Sequence, residues 1–191
     1  MNLLTQGSSA LVKRLPIHRP RDTLIKKLLY LNAGVFAFYT ISSGPRKVNM
    51  QKVYTSGPVS TYESLFFMHF THTNFFQLLF TSTVFYTIGN YHIGAYGAQH
   101  FIRLFAASAI GGSLLTLAGL KSGSLTSHQA GSMAPAAGLI TYNIFRNPGW
   151  FKAFLRPVPL LFALALYGAF WGDRCTFGGM SVGYLAFLFG I

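Results

Sequence analysis

Apolar residues fall along the chain in six blocks, each about as long as one membrane crossing, with breaks of Gly, Pro, Asn and basic residues between them. The block that organises the others covers residues 66–89, FFMHFTHTNFFQLLFTSTVFYTIG, and contains no charged residue. At about 1.5 Å rise per residue, such a block matches a hydrocarbon core of ~30 Å. His69, Thr73, Gln77 and Thr81 follow one another at four-residue spacing, which on a continuous helix forms one polar stripe. Polar groups at membrane depth must face protein or trapped water. The pattern therefore predicts a helix over 66–89 inside a bundle, with its stripe turned inward.

The other blocks follow in order. The first covers 28–43 and stops at Ser43-Gly44-Pro45. Residues 46–61 read as a polar connection and 90–97 as a short turn. The third block covers 98–119, where Gly111-Gly112 permits close helix approach. A Ser/Gly-rich loop over 121–129 leads to a short block of small residues, 130–145, broken by Arg146-Asn147-Pro148-Gly149. The fifth block is 154–171 and the sixth 176–191, with spans two and four expected near the centre. The expected class is thus an all-α integral membrane protein: a basic arm, 1–27, and a six-helix membrane domain, 28–191.

Composition agrees with this class. Of 191 residues, 51% are hydrophobic and 9% charged, with a mean hydropathy of +0.41; soluble domains carry about 25% charged residues. Three acids, Asp22, Glu63 and Asp173, stand against 15 Lys and Arg, for a net charge of +12. With so apolar a chain, this charge suits anionic headgroups and other membrane subunits rather than nucleic acid. On six spans, one side collects Lys13, Arg14, Arg19, Arg21, Lys26, Lys27, Arg146, Lys152 and Arg156. The other collects Arg46, Lys47, Lys52, Lys121 and Arg174. The bias places both termini in the cytosol or the mitochondrial matrix. The Arg-rich, acid-poor arm resembles a mitochondrial targeting segment, with a plain juxtamembrane tail as the alternative. Arg19, Arg21, Lys26 and Lys27 are candidate contacts for anionic lipid such as cardiolipin, and the arm is expected to lie along a protein partner on the matrix side. A single cysteine, Cys175, excludes an internal disulfide.

Three segments resemble the rhomboid superfamily in the family's own order. Read from Phe70, FTHTNFFQLLFT is similar to F-x-H-x-x-x-x-H-L-x-x-N. His72 and Leu78 fall on the pattern, and Gly89 matches the glycine at the end of that helix. Gly131-Ser-Met-Ala-Pro-Ala-Ala-Gly138-Leu-Ile resembles the nucleophile segment G-A-S-G-A-I-F-G-L-L, and Thr176-Phe-Gly-Gly179-Met-Ser-Val-Gly183 resembles H-x-G-G-x-x-x-G. The resemblance implies a six-helix rhomboid-like bundle. It also implies a degenerate site. The family's oxyanion-holding His and Asn fall on Gln77 and Thr81, the nucleophile on Met133, and the catalytic His on Thr176. Sliding the nucleophile segment by one residue puts Ser132 in that place.

A hydroxyl needs a base before it attacks, and no His follows His128. The expectation is therefore a pseudoprotease without catalytic residues or cofactor, acting as an accessory subunit of a respiratory-chain or ATP synthase assembly in the mitochondrial inner membrane. The alternatives are a pseudoprotease that binds client helices in translocation or quality control, and an active intramembrane protease using Ser132. A metal site from His69, His72 and His100 lacks a carboxylate, and Cys175 lacks a cation partner to make it a thiolate. The Gly179-x-x-x-Gly183 pair is read as a packing seam against the fourth span.

Overall fold

The computed structural model of the chain describes residues 23–58, 60–122, 129–149 and 174–190. Over these residues the protein is all-α; the only extended pairing among them is an isolated antiparallel bridge between Ser56 and Gln129. The arm up to residue 22, the loop 123–128 and the fifth block, 154–171, lie outside the described residues.

Helix α1, Thr23–Ile41, begins five residues earlier than the apolar block suggested. It ends ahead of Pro45, as expected, but the polar stretch beyond it is not a plain connection. Gly44–Tyr54 forms helix α2, with Pro45 in its first turn, where a missing N–H and a fixed φ suit helix initiation. Only Met50 of this helix is buried, so no apolar stripe announced it.

The block over 66–89 is not one helix. A single turn, α3 (Ser64–Phe67), ends near Met68, and residues 68–74 leave the helical path before α4 (Phe75–Val84) starts. The cause lies in the first turn of α4. The Asn74 side chain accepts a hydrogen bond from the Gln77 N–H at 2.8 Å, while Gln77 Oε1 accepts from the Thr73 N–H at 3.3 Å. This reciprocal pair is a close relative of the capping box, and it starts a new helix where hydropathy alone runs through. Thr73 is consequently exposed, while His69, Gln77 and Thr81 are buried from two different elements. Beyond Val84 the helix continues as a π segment, Phe85–Gly89, and then as α5, Asn90–Tyr96. Residues 90–97 are thus mostly helix, and the real break is Gly97, whose φ of 89° only glycine adopts readily.

Helices α6 (Ala98–Lys121), α7 (Met133–Arg146) and α8 (Arg174–Phe189) form the centre. Every residue of α7 from Met133 to Ile144 is buried, whereas α4 buries one face and exposes Phe75, Phe76, Leu79 and Phe80. Helix α7 is central, then, and α4 flanks it, so of the two blocks expected at the centre only the fourth lies there. Glycines set the spacing. A side-chain carbon on Gly179 would collide with the Ala134 carbonyl, one on Gly183 with the Gly138 carbonyl, and one on Gly138 with the Ser108 side chain. Backbones of α7 and α8 are therefore in direct contact along the glycine seam, with Gly112 of α6 fitted against Ala134 and Cys175. These neighbours make α7 and α8 parallel to each other and α6 antiparallel to both.

The distribution of polarity is inverted relative to a soluble bundle. Ile110 and Leu114 of α6 are each 61% exposed, while Ser108 and Thr116 of the same helix are fully buried. Among the described residues, α1 and α6 are long and apolar enough to cross a membrane.

Candidate functional site

The residues singled out by the resemblance gather where α7 begins. Gly131, with φ 111°, carries the chain into the helix, and its N–H donates to the Met68 carbonyl at 2.7 Å. A side chain here would strike the Gln77 amide, so glycine keeps the two segments in contact. Gln77 Nε2 donates to the Ala130 carbonyl at 2.5 Å. Thr81, one turn on, donates its hydroxyl to the Gln77 carbonyl at 3.0 Å and lies 2.8 Å from His72 Nε2. Gln77 and Thr81 therefore hold the 68–74 turn and the approach to α7, with Gln77 directly beside the segment that carries Ser132.

Ser132 is fully buried at the N-cap of α7, yet its side chain does not cap the helix. Its hydroxyl donates to the His69 carbonyl and accepts from Asn32 Nδ2 of α1 at 3.3 Å. Met133 is the first residue of α7 and is buried, and Thr176, in the first turn of α8, is fully buried. Sequence reasoning did not find Asn32, which is 100 residues from Ser132. An asparagine inside an otherwise apolar block, residues 28–43, was the available signal. Three atoms around this cluster, Asn32 Oδ1, His69 Nδ1 and His72 Nδ1, have no hydrogen-bond partner among the described residues. His69 Nε2 pairs with Ser113 Oγ at 2.9 Å and borders a groove of about 270 Å³ that Phe66, Ala109 and Leu117 also line. Neither of these two Ser132 partners is a histidine or lysine nitrogen.

A second polar cluster occupies the other end of α7. His92 Nε2 lies 2.8 Å from His100 Nδ1, across the Gly97 break. The other nitrogen of His92 faces the Asn143 amide, and the His100 ring packs on Tyr96 and Tyr142 at centroid distances of 5.4 and 5.2 Å. The three histidines considered together for a metal therefore separate: His69 pairs with Ser113, His72 with Thr81, and His100 with His92. Among the described residues no group of three His, Cys, Asp or Glu converges. Cys175 is buried against Met68 and Ala134. Lys26 and Lys27 are exposed near the start of α1, at the same end as His92; Arg19 and Arg21 lie outside the described residues.

No protein-family model matches the chain, and no curated protein matches it.

Proposed function

We propose that this chain is a catalytically inactive, rhomboid-like membrane protein of six spans that serves as a structural accessory subunit of a large assembly in the mitochondrial inner membrane. The observation that carries the reading is the inversion of polarity: Asn32, Ser108, Thr116, Ser132 and Asn143 are fully buried while leucines and phenylalanines cover the outside. Water would penalise that surface heavily and lipid would not. The glycine contacts between α7 and α8 join two of the three segments that resemble the rhomboid family. The bonding of Ser132 to a carbonyl and an amide, with Thr176 at the resembled histidine position, supports inactivity. The Arg-rich, acid-poor arm supports mitochondrial targeting, and the excess of basic residues supports anionic lipid and acidic subunits as partners.

The test is a native gel of mildly solubilised membranes with mass spectrometry of the band that holds the chain. Fixed stoichiometry with respiratory or ATP synthase subunits is expected. Migration alone, or with import machinery, would overturn the subunit role. The groove beside His69 favours one competing reading, the capture of client helices, and association with translocation machinery is its signature. Cleavage of a transmembrane substrate that vanishes in Ser132→Ala would instead establish a protease.

A further inference from the structure

The end of the bundle carrying His92 and His100 has a feature that the subunit reading does not use. Between α6 and α8 runs a surface groove of about 140 Å³ whose walls are Leu104, Ala107, Val182, Leu185 and Phe189. Its one cation is Arg103, with His100 beside it. Arg103 is exposed on the outer side of α6, six residues into an apolar helix. A guanidinium near the end of an apolar helix turns its head toward the interface, where anionic headgroups lie. Glu63 is the one acidic side chain among the described residues, and it precedes α3, at the opposite end of the bundle from Arg103. Lys26, Lys27 and Arg146 add charge to the same end as Arg103.

His100 is held for the role. Asn143 Nδ2 donates to the Leu139 carbonyl at 2.7 Å and lies 3.0 Å from His92 Nδ1, nearer than its own Oδ1 at 3.2 Å. His92 Nε2 lies 2.8 Å from His100 Nδ1, so the two rings share one hydrogen bond. His100 Nε2 has only a long 3.4 Å contact to the Tyr142 hydroxyl. Nε2 is therefore open to a stronger partner.

We propose that this groove binds an anionic phospholipid, with an acyl chain along the α6–α8 walls and the phosphate held by Arg103 with His100 Nε2 beside it. Asn143 and His92 are positioning residues that fix the His100 ring. The site rests on the membrane reading above and adds a specific lipid contact distinct from Lys26 and Lys27.

The test uses the full chain purified in a neutral detergent, with thermal midpoints measured against phosphatidylglycerol, phosphatidylcholine and inorganic phosphate. Phosphatidylglycerol should raise the midpoint, and the other two should not. Arg103→Gln should weaken the apparent phosphatidylglycerol affinity about fivefold, the equivalent of roughly 1 kcal/mol per basic residue at an anionic surface. Ala107→Trp, which fills the groove without touching charge, should abolish the response, while Lys47→Gln at the far end should leave it intact. A wild-type response in both Arg103→Gln and Ala107→Trp, an equal shift with phosphatidylcholine, or reproduction of the shift by phosphate alone would overturn the site. If Arg103→Gln does not fold, Ala107→Trp decides. Alkaline carbonate washing of the source membranes separates the two levels. Release of the chain sinks the membrane reading, whereas retention together with indifferent variants sinks only the groove.

Discussion

Gly179 shows how a single missing carbon fixes this packing. Its Cα faces the Ala134 backbone, where any side chain meets a carbonyl that cannot move without shifting all of α7. Overpacking commonly costs about 1–3 kcal/mol where side chains can adjust; here the neighbour is backbone, so the upper end applies. Gly179→Val is expected to lower the thermal midpoint strongly, whereas Gly94→Ala, with open space around the position, should leave it unchanged or slightly raised. Equal midpoints for the two variants would mean that α7 and α8 do not touch as described. Thr81 offers a polar counterpart. Its hydroxyl satisfies His72 Nε2 in a fully buried setting, and removing one partner of a buried pair costs about 1–3 kcal/mol. Thr81→Val, nearly isosteric, should destabilise by that amount, and a midpoint within error of wild type would show that the pair carries no net stability.

At the scale of elements, the cap of α4 is the decisive local feature. Asn74 accepts from Gln77, and Gln77 reaches back to Thr73, so the turn 68–74 is held at its exit. Loss of an N-cap costs about 1 kcal/mol. Asn74→Ala should therefore destabilise by that order and loosen amide protection across 68–74, with Asn74→Ser restoring most of it; hydrogen exchange that does not distinguish the variants would refute the cap. This cap also explains what the sequence could and could not show. The extents of α6, α7 and α8 were legible to within three residues at every boundary, because Gly97, the Ser/Gly-rich loop and the Arg146-Asn147-Pro148-Gly149 cluster interrupt apolar runs unmistakably. The glycine seam was legible from spacing alone. The break inside 66–89 was not, since Phe, Met and Leu continue through it. The signal was Asn74-Phe-Phe-Gln77, a capping pair just ahead of an apolar run, which the four-residue polar stripe outweighed. Helix α2 was hidden because it is polar all round. The partners of Ser132 are 63 and 100 residues away, and no local pattern encodes contacts of that range.

On the membrane reading proposed above, the question for the whole molecule is which way the bundle sits in a bilayer, and charge is the expected determinant. Lys26, Lys27, Arg103 and Arg146 cluster at one end of the described helices, while Arg46, Lys47, Lys52, Lys121 and Arg174 lie at the other, beside the start of α7 and the close of α6. These two sets nearly balance, so the helices themselves supply no orientation. On the six-span expectation an imbalance comes from Lys13, Arg14, Arg19 and Arg21 in the arm, together with Lys152 and Arg156. Each basic residue near an anionic surface contributes about 1 kcal/mol, so four of them exceed thermal energy several-fold. Replacing Lys13, Arg14, Arg19 and Arg21 with Gln is thus expected to leave the chain inserted but to mix its orientations. Lys47 is exposed at the far end, and Lys47→Cys gives a reporter there, because the native Cys175 is buried. A membrane-impermeant maleimide applied to sealed mitoplasts should label Lys47→Cys nearly completely in the parent and only partially once the arm is neutral. Unchanged labelling would show that the arm does not set the orientation.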